Sequence, residues 1–128
     1  MSWPPKIGEP LPRAEEAYGI HEKLAGYSLK LGHPGRGKKA EGFARVLAIT
    51  ADDLEYLAEE LLEGARTIPM TEIRDRGEQG VLCEVVVPVR GVADRAHRVA
   101  NVLTSWEIRR DGDRPRLVTA YITTKIGR

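Results

Sequence analysis

The residues best suited to chemistry crowd into one short stretch, Gly32-His-Pro-Gly-Arg-Gly-Lys-Lys39. Glycines let the backbone come close to a ligand, and a helix starting beyond them turns its first N–H groups toward an anion. His33 titrates near neutrality and stands between a glycine and Pro34, which suits it to acid–base work. Arg36, Lys38 and Lys39 add positive charge. The stretch falls one residue short of the nucleotide-gripping loop G-x-x-x-x-G-K-[ST], because Lys39 stands where a magnesium-binding hydroxyl belongs. The preceding YSLKL is too short and too polar for the buried parallel strand such a loop requires, and no apolar run ending in an aspartate follows. Nucleotide hydrolysis is set aside. Two readings remain: a site for a single phosphate, including one in a nucleic-acid backbone, or a solvated basic turn.

Other chemistries find less support. His21, His33 and His97 lack the spacing of metal ligands, and Cys83 sits in the dense apolar run VLCEVVV, which reads as core. No metal or cofactor is expected. Thr119 and Tyr121 alternate onto one strand face where their hydroxyls can meet a ligand, and pairing across a hairpin brings Ser105 beside Thr119. Thr104 then points inward unless a bulge rotates it. Arg98, beside His97, is a further candidate phosphate contact.

These residues need elements to hold them. Pro4, Pro5, Pro10 and Pro12 mark residues 1–12 as an extended lead-in arm, leaving 13–128 as a single domain. A first helix is predicted from Arg13 to Gly26. A second, Lys38 to about Leu47, carries Ala40, Phe43, Ala44 and Leu47 on one stripe. Thr50 caps a third, whose buried stripe is Leu54, Leu57, Ala58, Leu61, Leu62 and Ala65. After Pro69 the pattern alternates, predicting strands at 70–74, 81–90, 97–110 and 116–125. The last two join as a hairpin at Arg110–Arg114. Pro88 argues for an edge or a bulge in its strand. In the last strand, Val118, Ala120 and Ile122 are assigned inward and Leu117, Thr119, Tyr121 and Thr123 outward. Helices first and strands last predict an α+β fold, with about three N-terminal helices packed on one face of an antiparallel sheet of three to four strands.

Charge points to a polyanion. The net charge of +1 conceals a balance of −4 over residues 1–89 and +5 over 90–128. Residues 28–46 hold five basic groups against Glu41 alone, whereas 51–63 hold six acidic groups and no basic one. Such segregation suits a partner rich in phosphate, or an ordinary solvated surface. Seven aromatics are too few for an aromatic-rich base-stacking sheet. No apolar run spans a bilayer, the start lacks a signal peptide's apolar segment, and the single cysteine rules out an internal disulfide. These features fit action in the cytoplasm, whether the chain is made there or delivered from another cell.

The succession of Tyr27–Leu29, the glycine-rich turn into Lys39–Phe43, Thr104–Trp106 and Leu117–Thr119 resembles an uncharacterised domain found at the C-terminus of bacterial polymorphic and contact-dependent toxins. The order of elements is also similar to the barnase–EndoU–colicin–RelE (BECR) group of ribonucleases, with the site on the open sheet face. The resemblance implies a metal-independent endoribonuclease that cleaves RNA, tRNA among the candidates, by attack of the ribose 2′-hydroxyl on the adjacent phosphate. His33 would then act as general base or acid, Lys39 would offset charge on the phosphate, and Thr104 or Thr119 would orient it. Arg36, Lys38, Arg98 and Tyr121 would bind the strand, and an acidic immunity protein would be the partner. The alternative is a non-catalytic module that binds RNA or an acidic protein.

Overall fold

The computed structural model describes residues 3–30 and 37–125, with Gly37 and Lys38 described in backbone only. Its strands β1 (Glu72–Asp75), β2 (Val81–Arg90), β3 (Val99–Ile108) and β4 (Arg116–Thr123) form one antiparallel sheet in chain order. Helices α1 (Ile20–Lys23), α2 (Gly37–Leu47) and α3 (Leu54–Thr67) cover one face, α3 lying on β2 and α2 lying on β4 and β3. The fold is α+β, as the chain order predicts.

Local chemistry sets each helix. At α3 the Thr50 hydroxyl accepts from Asp52 N, while the Asp53 carboxylate accepts from Thr50 N at 3.0 Å, so two N-terminal donors are satisfied reciprocally. Leu57, Leu61 and Ala65 are then sealed in the core, with Leu54 and Leu62 half-buried beside them. Each fully buried leucine contributes about 1.5–3 kcal/mol. Phe43 and Leu47 do the same for α2. Gly64 lets α3 settle on β2, because a Cβ there would stand 2.5 Å from Val87 Cγ1.

The predicted first helix is broken in two. Ala14–Glu16 makes a single 3-10 turn, and Gly19, at φ 78°, then lets the chain change direction before α1. In the gap Tyr18 lies parallel to the start of β4, its N–H donating to Pro115 O and its carbonyl accepting from Leu117 N. Beyond α1 a π-helical stretch, Leu24–Ser28, carries on through Gly26, the expected stop. The arm, by contrast, is docked. Gly8 N donates to Met70 O, Met70 N donates to Glu9 O, and Leu11 is buried.

Strand pairing explains Pro88 and reverses one face assignment. β1 pairs only with residues 81–84, so among the described residues β2 has no strand partner on that side at Pro88, where the missing N–H costs nothing. Between β3 and β4 the register shifts. Ser105 faces Thr119, yet Trp106 faces Leu117, leaving Val118 as an extra residue. Leu117 therefore turns inward and is fully buried, while Val118, expected inward, is displaced to the half-buried bulge. Ala120 stays inward and Thr119 and Tyr121 stay outward, because the bulge lies before them.

Thr104 occupies the core face with no solvent exposure. Its hydroxyl donates to Val85 O at 2.7 Å and accepts from Trp106 Nε1 at 2.8 Å. Both capacities of the oxygen are used in holding the indole. Burial also pushes the Cys83 thiol up to about 12, so it stays protonated and inert in the core.

Candidate functional site

The first helical turn of α2 lies alongside edge strand β4, and there the side chains converge. Ser28 Oγ donates to Ala120 O at 2.9 Å, which fastens the π-helical stretch to the middle of β4. Lys39, three residues into α2, donates from Nζ to Thr119 Oγ1 at 3.2 Å and sits 5.1 Å from the centroid of the Tyr121 ring. Lys23 approaches the Tyr27 ring at 4.3 Å, as residues four apart on a helix can. Together Lys23, Tyr27, Ser28, Lys39, Val118 and Thr119 line a polar recess of about 180 Å³.

Two ammonium groups and three hydroxyls, of which Ser28 already donates to Ala120, around so small a volume suit one tetrahedral anion. Thr119 accepts from Lys39, which leaves its own O–H to donate, with no acceptor for it among the described residues. Lys39 retains donors beyond the one given to Thr119. The start of α2 adds the positive end of an eleven-residue helix.

Of the residues singled out in the sequence, Lys39, Thr119 and Tyr121 are brought together. Ser105 lies opposite Thr119 in the register, as hairpin pairing predicts, though it is almost wholly covered. Thr104 faces the helices, as alternation predicts, and its candidate role at the site is corrected because its hydroxyl is committed to Val85 and Trp106. Arg98 is not brought to the recess. It is exposed at the opposite end of β3, seven residues from Ser105 and hence roughly 20 Å along the strand. His33 and Arg36 lie outside the described residues, as does the side chain of Lys38. His21 pairs with Glu55 at 3.0 Å, and His97 is exposed beyond the Arg98 end. Lys23, Tyr27 and Ser28 were not among the candidate site residues, although Tyr27 and Ser28 belong to the Tyr27–Leu29 segment of the resemblance and Lys23 and Tyr27 are spaced i, i+4.

The outward face of the sheet carries a second grouping. Glu107, only 10% exposed, meets Arg116 at 3.2 Å, Arg109 at 3.3 Å and Arg76 at 3.9 Å. Burial alone would raise its carboxyl, but the hydrogen bonds from Arg116 and Arg109 outweigh this and hold it below the ordinary carboxylate range. Farther along, Lys125 spans Glu84 at 3.4 Å and Glu72 at 3.7 Å, offsetting two carboxylates that face each other across β1 and β2. Among the described residues no three His, Cys, Asp or Glu side chains cluster as metal ligands, and no helix is long and apolar enough to cross a membrane.

A four-strand antiparallel meander backed by helices on one face, with a basic, hydroxyl-lined recess at its last strand, defines a small α+β domain. The chain belongs to the family described as Domain of unknown function (DUF6883), which matches residues 10–124. No curated protein and no solved structure matches it.

Proposed function

We propose that this domain binds RNA through the recess at β4 and cleaves it without a metal, in the manner of the toxin domains its sequence resembles. The observation that carries the reading is Lys39 held against Thr119 beside Lys23 and Tyr27, in a space fitted to one phosphate. Lys39 and Lys23 offset charge as the phosphate becomes pentacoordinate, and the Thr119 hydroxyl orients one of its oxygens. The 2′-oxygen forms a bond to phosphorus as the bond to the 5′-oxygen breaks. His33, four residues before α2 in the sequence, takes the 2′ proton or supplies the 5′ one, with water in the complementary role. Action would be in the cytoplasm, and the partner of such a toxin would be a small acidic immunity protein.

A second reading rests on the composition of the recess. Its described lining contains lysines and hydroxyls but neither histidine nor carboxylate, which suits binding better than proton transfer. One experiment separates the two. Wild type, Lys39→Ala and His33→Ala are incubated with tRNA and with a short labelled RNA in EDTA. Cleavage should fall about 100- to 1,000-fold for Lys39→Ala and be lost for His33→Ala. Absence of cleavage at any wild-type concentration sinks the ribonuclease reading. Salt-sensitive binding that survives His33→Ala would then favour the binding module.

A further inference from the structure

The start of β4 borders a larger recess, about 380 Å³, lined by Tyr18, Glu107, Arg109, Asp113 and Arg114. Tyr18 is 42% exposed, and the Arg114 guanidinium carbon lies 4.5 Å from the centroid of its ring. Backbone hydrogen bonds to Pro115 and Leu117, on either side of Arg116, hold the tyrosine there, so its position does not depend on burying the ring. The charges beside it are unbalanced. Glu107 is the shared partner of three arginines, and Arg114 donates to a neutral backbone carbonyl, that of Glu16. Four arginines, Arg76, Arg109, Arg114 and Arg116, thus stand around two carboxylates, Glu107 and Asp113.

The two recesses lie along the same strand. Arg116, opposite Glu107, stands three residues before Thr119, roughly 10 Å away at strand rise. That separation suits neighbouring nucleotides of one extended strand, whereas a duplex would keep its bases stacked and beyond reach of the ring. We infer that Tyr18, Arg114 and Arg109 form a base-stacking subsite, so that the ligand is single-stranded RNA laid along β4 with one base on Tyr18 and a phosphate at Lys39. The inference rests on the RNA reading above and adds what kind of RNA and which contacts.

Binding of a labelled eight-nucleotide single strand and of an eight-base-pair RNA duplex to the full chain tests it, by fluorescence anisotropy across a salt series. Tyr18→Ala should weaken single-strand binding at least fivefold, with Tyr18→Phe restoring it, since stacking needs the ring and not the hydroxyl. Tyr18→Ala should leave the salt slope unchanged, whereas Arg114→Ala should lower it by about 0.7. Wild-type affinity in Tyr18→Ala, or equal affinity for duplex and single strand, overturns the subsite. If Lys39→Ala weakens binding and Tyr18→Ala does not, only this inference fails. If neither weakens it, the recess at Lys39 fails as well.

Discussion

Replacing Thr104 with valine tests whether this threonine belongs to the fold or to the chemistry. The two side chains have nearly the same shape, so packing is kept and only the hydroxyl is lost. The Trp106 N–H, buried and bonded to that oxygen at 2.8 Å, would be left without a partner. An unsatisfied buried donor costs about 1–3 kcal/mol, and losing the bond to Val85 O adds about 1 kcal/mol. The expected loss is therefore about 2–4 kcal/mol, a large share of the roughly 5–15 kcal/mol that holds a domain together. In urea the unfolding midpoint should fall with the slope m unchanged, and Tm should drop by about 6–15 °C. Thr104→Ser keeps the oxygen and should retain most of the stability, giving up only the methyl contact. RNA binding per folded molecule should match wild type in both variants. A loss below about 0.5 kcal/mol in Thr104→Val, or reduced binding at full stability, would refute the reasoning and return Thr104 to the site.

Gly64→Ala should destabilise by about 1–2 kcal/mol in chemical denaturation, since overpacking against Val87 exceeds the helix-propensity gain of roughly 1 kcal/mol. Adding Val87→Ala should remove much of that clash, a coupling that a double-mutant cycle would read. Glu107 makes stability depend on pH. With its folded pKa below the ordinary value of 4.5, the contribution is present above that value and lost as pH falls through the folded one. The stability gap between wild type and Glu107→Gln should therefore be widest near neutrality and shrink in acid, and a gap that widens on acidification would contradict this.

How far the fold was legible depends on how local each signal is. The α3 cap, its leucine stripe and the alternation of β2 are set by residues a few positions apart, and these elements fall where periodicity places them. The break at Tyr18–Gly19 was less legible, because helix periodicity spans it while the pairing that pulls Tyr18 to β4 comes from nearly a hundred residues away. Alternation likewise assigned Leu117 to the wrong face. A bulge is a property of two strands together, and Val118 carries no mark of being the extra residue.

The candidate site divides in the same way. The sequence by itself determined an α+β chain with a basic, glycine-rich lead into α2 and a threonine and tyrosine sharing one face of the last strand. Only the tertiary structure decided that Lys39 meets Thr119, eighty residues on, that Lys23 and Tyr27 complete the recess, and that Thr104 serves Trp106 instead. Helix and strand periods follow from backbone geometry that every short segment carries within itself. Convergence follows from strand register and from how a helix seats against a sheet edge, and a single inserted residue changes both.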